Sequence, residues 1–509
     1  MKLIRPGITF GIIGGLLTFL FGGWSVAVLG VLMGVGLGLG LGNNFERKDP
    51  LKIALAVLPS ALVAAVLLVG LSLYQNNFVM EAIGKKPAKA DIAMNANLIG
   101  FFGALIFTTL LASLRGLPEK QEQYAKMILL ALLVIVFPFV DKATALRWTA
   151  QIIFALIFVI LGLGLNIVVG YAGLLDLGYA AFFAIGAYTT GILSSPVHNI
   201  QWNFWLVIWI AAAMASVWGI ILGAPTLPLR GDYLAIVTLG FGEIVPVLFK
   251  NLIDVTIKEP LTCWILPMFG ANTTCIVFTE HFDATLGEKG ISPIGRPSLP
   301  IIGEFESSNP VTWYFLIIAI ILLSIFIIRR LRDSRLGRAW MAIREDELAA
   351  AQMGINPVRT KLAAFAMGAT FSGFAGAFYA AYIRGIFPSV FDFSASIIIL
   401  CVVILGGIGN INGVIVGGLV LMTADRLFLP ALKDFLSSLL THTVLPSISD
   451  PVVQLAVKDN ANPILYRFLL FGLTLVIMMA VRPEGLIPNA QIRAELHKEE
   501  DEASAEKKG

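Results

Sequence analysis

Charged residues are scarce in this sequence, and their scarcity limits what the chain can be. Asp, Glu, Lys and Arg make up 14% of the 509 residues, whereas a soluble domain carries about 25%. Hydrophobic residues reach 57%, and the mean hydropathy is +0.85. A net charge of +3, with no basic patch, gives no indication of a nucleic-acid partner. The composition therefore predicts a polytopic membrane protein.

The residues that build catalytic and metal sites are also few and scattered. The sequence has no H-E-x-x-H or paired-cysteine metal spacing, no G-x-S-x-G nucleophile turn and no G-x-x-x-x-G-K-[ST] phosphate loop. We therefore expect no catalytic residue, no metal and no cofactor in this chain, and no means of hydrolysing ATP. If the chain pumps, the energy comes from an ion gradient or from a partner. The four histidines are His198, His281, His442 and His497.

Long apolar runs dominate the chain and predict its fold class. They are long enough to cross about 30 Å of hydrocarbon, and several are short or broken by glycine. The pattern predicts an all-α polytopic fold with roughly 10–14 transmembrane or re-entrant helices. The candidate segments are residues 8–42, 51–73, 97–114, 127–140, 148–169, 174–194, 204–223, 233–249, 312–330, 361–383, 394–409, 412–429 and 464–481.

The basic residues indicate which side of the membrane each loop occupies. Cytoplasmic loops of membrane proteins carry an excess of Lys and Arg. Placing residues 331–360 in the cytoplasm puts 44–52, 115–126 and the tail after Val481 on the same side. The segment 195–203, which has no Lys or Arg, then lies outside. We expect the tail and the loop 331–360 to be cytoplasmic.

Two of the three cysteines, Cys263 and Cys275, lie in the long loop 250–311, which this arrangement places outside. In an oxidising compartment we predict a disulfide between them, and two unpaired thiols are the alternative. Cys401 lies in an apolar run and is interpreted as a buried small hydrophobic residue.

The segment 162–193 is an apolar run broken by seven glycines. Small residues allow close helix packing in lipid, which explains most of them. Asp176 interrupts the run with a charge, and we predict that it caps a helix starting at Leu177, lines a polar path, or does both. Glu243 lies well inside its own apolar segment and is the second candidate for a buried acid. The candidate substrate-pathway residues are Asn166, Tyr171, Asp176, Tyr179 and Glu243.

A second glycine cluster, GGIGNING (406–413), breaks a later apolar region. Transporters often use broken helices in both halves of the fold, with helix N-termini facing an anionic group of the substrate. A plain turn at Asn410–Gly413 explains the cluster equally well. Both interpretations stay open at this point.

A charged stretch, RAWMAIREDELAAAQMGI (338–355), separates two apolar spans. Four successive residues, from Arg344 to Glu347, are charged, and on an α-helix they point nearly all the way round. Each charge at mid-bilayer costs roughly 2.5–3.5 kcal/mol. We therefore predict a short helix outside the lipid.

Taken together, these motifs resemble the larger permease subunit of the branched-chain amino acid ABC importers (LivM type). The matching blocks span 148–487 in one order, which the resemblance assigns to the permease core, including the outer loop 250–311. Residues 1–147 are N-terminal membrane segments that it covers weakly, and 488–509 form a charged cytoplasmic tail. The blocks are GLGLNIVVGYAGLLDLGYAAFFAIGAY (162–188), PTLPLRGDYLAIVTLGFGEIV (225–245), residues 336–380, ILCVVILGGIGNINGVIVGG (399–418) and VRPEGLI (481–487).

The resemblance implies that the charged stretch is a cytoplasmic coupling helix that docks on an ATP-binding subunit. The family motif is E-A-A-x₃-G, and ELAAAQMG (347–354) fits it with one residue inserted after the Glu. We expect Gly354 to end the helix in a left-handed conformation and Pro357 to prevent its continuation. Apolar contact is expected from Trp340, Ile343, Leu348 and Met353. The expected coupling residues are Arg344, Glu345, Asp346, Glu347, Ala350 and Gly354.

By the same resemblance, the chain is a pore-forming subunit in the bacterial inner membrane. The implied partners are a second permease, two subunits that bind ATP and Mg²⁺, and a periplasmic protein that delivers leucine, isoleucine or valine. Two rivals stay open: a urea or short-amide ABC importer, and an ion-coupled secondary transporter in which Asp176 and Glu243 carry the ion. A membrane enzyme would lack any assembled nucleophile or metal cluster.

Overall fold

The fold of the described part of the chain is almost entirely helical. The computed structural model describes residues 119–144, 147–198, 201–226, 232–253, 285–300, 303–306, 308–430, 461–482 and 484–487, with single positions at 31, 35 and 283 and several between 432 and 460. The predicted spans 8–42, 51–73 and 97–114, the two loop cysteines and the tail 488–509 lie outside the residues so described, apart from positions 31 and 35.

Twelve α-helices of the described residues position the features discussed below. Two of them continue into π-helical turns, Asn166–Tyr171 and Ala424–Phe428, and Ser298–Leu299 pairs with Gly303–Glu304 as a small antiparallel hairpin. The first of these turns, Asn166–Tyr171, is called the π turn below. The helices are α1 Glu119–Thr144, α2 Trp148–Leu165, α3 Ala180–Ser194, α4 Phe204–Thr226, α5 Asp232–Asn251, α6 Pro310–Arg332, α7 Arg335–Glu345, α8 Glu347–Gln352, α9 Pro357–Ile383, α10 Phe393–Gly406, α11 Ile411–Thr423 and α12 Arg467–Val481.

The predicted all-α polytopic membrane fold is confirmed. Within the described residues, nine helical segments are long and apolar enough to cross a membrane. The predicted span 174–194 differs, because its helix covers only the 15 residues Ala180–Ser194, whereas a crossing needs about 20. The nine segments are Gln121–Lys142, Trp148–Tyr171, Phe204–Pro225, Tyr233–Asn251, Pro310–Arg332, Pro357–Ile383, Pro388–Gly406, Ile411–Phe428 and Pro463–Val481.

Helix α9 is the central helix of the described core, and glycines allow its neighbours to approach it. A Cβ at Gly186 of α3 would lie 2.6 Å from the Cα of Gly373 on α9. A Cβ at Gly219 of α4 would lie 2.8 Å from the Cβ of Ala369. No larger side chain fits at these crossings, so the packing interpretation of the glycines in 162–193 holds at Gly186.

The chain divides into two compact units. One comprises Met1–Gln151 with Pro430–Pro463, and the other comprises Ile152–Leu429 with Ile464–Gly509. In the first unit, the carboxylate of Asp141 accepts hydrogen bonds from the amides of Trp148 and Thr149, at 2.9 and 2.8 Å. This cap satisfies backbone donors that the first turn of α2 leaves free.

Candidate functional site

The charged stretch forms two helices rather than the single helix predicted over 338–355. Helix α7 ends at Glu345 and α8 begins at Glu347. Between them Asp346 is extended, with φ −152° and ψ 110°, and its carboxylate accepts hydrogen bonds from the amides of Leu348 (2.8 Å) and Ala349 (3.0 Å). Asp346 is therefore the N-cap of α8, because its side chain satisfies amides that a continuous helix would bond internally. Residues 335–355 are called the charged segment below.

The charged segment ends as predicted, in a left-handed glycine. Gly354 has φ +86°, and its amide donates to the carbonyl of Ala351 at 3.0 Å. The amide of Ile355 donates to the carbonyl of Ala350 at 3.1 Å, which completes a Schellman motif. Pro357 is the first residue of α9, so the backbone changes direction within a few residues of Gly354.

The apolar residues of the charged segment fall into two groups with opposite exposure. Trp340 and Ile343 of α7 are buried in this chain, and the Trp340 indole donates to the Thr360 carbonyl at 2.8 Å. Leu348 is 64% exposed and Met353 84% exposed. The expectation that all four side chains contact a partner is therefore wrong for Trp340 and Ile343, which pack against the chain itself.

Arg344 joins α7 to the π turn. Its guanidinium donates to the carbonyl of Gly170 at 2.6 Å. Gly173, which follows the π turn, has φ +69°, and a Cβ there would lie 2.8 Å from Cγ of Arg344. The Arg344 side chain therefore packs against Gly173 at a position where only glycine leaves room. Because the guanidinium is charged, its hydrogen bond to the Gly170 carbonyl is stronger than one from a neutral donor.

Glu347 joins α8 to α9. Its carboxylate pairs with the ammonium of Lys361 at 2.7 Å, and the Lys361 side chain is only 7% exposed against 31% for Glu347. Lys361 is a functional candidate that was missed from the sequence, although a lysine one turn after Pro357 at the start of an apolar helix is a signal for such a pair. Glu345 and Asp346 are exposed, and Ala350 is buried.

The π turn also contacts the second glycine cluster. Asn166 is fully buried, and its side-chain oxygen accepts a hydrogen bond from the amide of Gly409 at 2.8 Å. Asn410 caps α11 by accepting from the amide of Asn412 at 3.0 Å, so the cluster 406–413 forms a capped turn. Its glycines at 407 and 409 have φ of +118° and +78°. A chain of hydrogen bonds therefore runs from α7 through the π turn to this turn.

Asp176 does not cap a helix that starts at Leu177. Helix α3 begins at Ala180, and its first amide donates instead to the Ser396 hydroxyl at 2.9 Å. The Leu177 amide donates a hydrogen bond to the hydroxyl of Thr238 on α5, at 3.1 Å. The backbone at Leu177 is therefore held against α5 in a non-helical conformation. Asp176 is 2% exposed and accepts one hydrogen bond, from the Gly178 amide at 2.9 Å.

The other pathway candidates have different surroundings. Tyr179 is fully buried and its hydroxyl donates to the carbonyl of Gly368 at 2.7 Å. Tyr171 is 4% exposed. Glu243 is exposed, so its prediction as a buried acid is wrong. Gly242 packs against Gly178, and the next residue of an α-helix points about 100° away from it, so Glu243 points outward.

Cysteines and metal-binding side chains add no site to the described residues. Cys401 is buried in α10, as predicted. Cys263 and Cys275 lie outside the described residues, so their disulfide stays a prediction. In the part of the chain that the structure describes, no group of three or more His, Cys, Asp or Glu side chains is arranged to hold a metal ion.

Comparison with known proteins identifies the family. The family model described as "Branched-chain amino acid transport system / permease component" matches residues 149–478, which include α2, the π turn, the charged segment and the turn 406–413. The chain belongs to this family. Family membership confirms the resemblance inferred from the sequence blocks and makes the chain a multi-pass transport permease rather than an enzyme.

Individual relatives agree with the family assignment. The chain is 36% identical over 382 residues to the Escherichia coli (strain K12) "high-affinity branched-chain amino acid transport system permease protein LivM", covering 74% of this chain and 78% of the relative. It is 23% identical over 374 residues to a probable LivM of Methanocaldococcus jannaschii (66% and 92%). Identity to LivH of Escherichia coli (strain K12) is 25% over 277 residues (53% and 81%). No solved structure matches the chain.

Proposed function

We propose that this chain is the permease subunit of an ATP-driven importer of branched-chain amino acids. It forms part of the translocation path and couples that path to separate ATPase subunits. One observation carries the proposal: the charged segment is attached to the π turn through Arg344 and Gly170, while Leu348 and Met353 are left exposed. An exposed apolar tip on an internally fixed helix suits a contact with another subunit.

The proposed assembly contains a second permease, two ATPase subunits that hold ATP and Mg²⁺, and a periplasmic binding protein. The likeness to both LivM and LivH, each named as a permease protein of a high-affinity branched-chain amino acid transport system, supports the second permease. The proposed location is the bacterial inner membrane, with the charged segment and the tail 488–509 in the cytoplasm. Residues 1–147 are proposed to lie outside the transport core.

The contacts suggest how ATP binding would reach the membrane helices. Closure of the ATPase pair would displace α8 and, through the short link at Asp346, also α7. Arg344 would pass the displacement to Gly170, and Asn166 would pass it to Gly409, so that the π turn and the turn 406–413 move together. Alternating access of this kind switches the path between two discrete states.

The proposed substrate path lies beside residues 166–179, which comprise the π turn and the non-helical segment that precedes α3. The side-chain oxygen of Asn166 and the hydroxyl of Tyr179 have backbone partners, whereas Nδ2 of Asn166 has none among the described residues. Both residues are proposed to shape the path. Tyr171 and Asp176 have buried side-chain oxygens without a partner among the described residues, so they are proposed to face the substrate. Glu243 is exposed on α5 and is proposed to face the second permease, because a carboxylate facing lipid would be costly.

Uptake of labelled leucine and labelled urea tests the function. Cells with and without this chain are compared after addition of an uncoupler and, separately, after ATP depletion. Leucine uptake that requires the chain, persists with the uncoupler and stops without ATP is the expected result. Uptake that stops with the uncoupler while ATP stays high would support the ion-coupled transporter, and urea uptake would support the amide importer.

A further inference from the structure

A cavity of about 60 Å³ lies beside Asp176, between the segment that precedes α3 and helices α4, α5 and α9. The described walls are almost wholly apolar. Pro225 and Val237 line the cavity and are exposed, so we place its opening beside them. The remaining lining residues that matter here are Phe182, Leu222, Thr238 and Phe365.

Among the described residues that line the cavity, the Asp176 carboxylate is the only ionisable group. One oxygen accepts from the Gly178 amide, while Oδ2 is buried and has no hydrogen-bond donor among the described residues. The neighbouring Thr238 hydroxyl donates to the Ala235 carbonyl at 3.0 Å, so it does not supply the missing donor. A buried carboxylate without a partner is unfavourable, and a ligand with a positive charge and N–H donors would satisfy it.

The chemistry of the cavity selects the kind of cation. Hard metal ions require several oxygen ligands, and the walls offer one carboxylate and one hydroxyl. A water molecule occupies about 30 Å³ in the liquid, so the cavity accommodates an ammonium group and the carbon that carries it. The rest of a larger ligand would lie at the opening, beside apolar side chains.

We infer that the Asp176 cavity binds a primary ammonium group, the α-ammonium of the transported amino acid. The inference rests on the proposed function and adds to it the contact that recognises the amino end of the substrate. The ligand's aliphatic part would lie against Val237 and Leu222. Its carboxylate would lie outside the cavity, because the described lining residues offer no free donor for it.

The test uses the complete importer in nanodiscs, without the binding protein, so that recognition by the membrane subunits is measured alone. Titration calorimetry compares 3-methylbutylammonium, which keeps the amine of leucine, with 4-methylpentanoate, which keeps only its carboxylate. We expect the amine to bind and the acid not to bind. Asp176→Asn keeps the acceptor for the Gly178 amide but removes the charge, and should weaken amine binding by about tenfold or more. Equal binding of amine and acid, or unchanged amine binding in this variant, would overturn the inference.

Two further variants keep the result interpretable. Val237→Phe narrows the opening while leaving Asp176 in place, and should also weaken amine binding. Asp392→Asn removes an exposed acid outside the cavity and should bind the amine as the unmodified importer does. If Val237→Phe binds the amine normally, the cavity is not the site.

Varying the lipid composition of the nanodiscs distinguishes two sources of the ammonium group that binds the cavity, the substrate and a lipid headgroup. Amine binding that is equal in nanodiscs with and without phosphatidylethanolamine supports the substrate assignment, whereas binding that this lipid suppresses assigns the cavity to its headgroup and overturns the inference. Leucine uptake is measured in parallel in cells that express the importer with its binding protein, with either the unmodified chain or Asp176→Asn. Absent uptake refutes the proposed function, while normal uptake with no effect of Asp176→Asn refutes only the cavity assignment.

Discussion

The two helices of the charged segment are adjacent in sequence but differ in how they are attached. Helix α7 buries Trp340 and Ile343 and bonds the π turn through Arg344. Helix α8 has only six residues, is joined to α9 by the Glu347–Lys361 pair, and exposes Leu348. From this difference we propose a division of roles, in which α8 binds the ATPase partner and α7 transmits its movement into the membrane.

The largest expected effect comes from changing the exposed tip beside α8. The double variant Leu348→Asp, Met353→Asp should lose ATPase subunits on purification and should show no transport, because desolvating two carboxylates in an apolar contact is costly. Co-purification from membranes measures it. The variant Met353→Leu keeps an apolar side chain and should retain both. Full subunit binding in the double variant would contradict the assigned role of α8.

Removing either partner of the Glu347–Lys361 ion pair should destabilise the permease, but by different amounts. Glu347→Ala leaves Lys361 buried and unpaired, at a cost of about 1–3 kcal/mol or more. Lys361→Met leaves a carboxylate that is 31% exposed and that water still reaches. Thermal unfolding of the purified permease should therefore show a larger loss for Glu347→Ala than for Lys361→Met. The double variant Glu347→Ala, Lys361→Met should be more stable than Glu347→Ala alone, because it leaves no buried unpaired charge. Equal losses for the two single variants would contradict this account.

The smallest effect is expected at the end of α8. In Gly354→Ala the added Cβ would meet no atom within 4 Å, but the backbone must keep φ +86°. A residue with a Cβ is destabilised by roughly 1–2 kcal/mol in this left-handed conformation. We expect weaker ATPase binding, by about tenfold, measured as the affinity of the permease for the ATPase subunits. Gly303→Ala is the matched control, because Gly303 has φ +80° and open space in the hairpin outside the charged segment. Gly303→Ala should destabilise the permease about as much as Gly354→Ala does, without weakening ATPase binding.

Local signals predicted much of this arrangement, and tertiary contacts decided the rest. The apolar runs indicated the described membrane helices, and the Gly354–Pro357 spacing indicated where α8 ends, because left-handed glycine and proline act on the backbone locally. The break at Asp346 was missed because an aspartate inside a charged run is compatible with a helix face as well as with a cap. The burial of Asp176 follows from the apolar run around it and was predicted. The exposure of Glu243 depends on how residues 176–178 pack against α5, which a single sequence does not encode locally.

The most direct test of the central claim is to measure ATP hydrolysis and leucine uptake side by side in proteoliposomes with Arg344→Ala. The substitution removes a charged hydrogen bond worth about 1.5–3 kcal/mol and leaves the exposed tip at Leu348 and Met353 unchanged. The account predicts that subunits remain bound, that hydrolysis continues, and that uptake falls by about tenfold or more. Uptake that stays in proportion to hydrolysis would show that α7 does not transmit movement through Gly170.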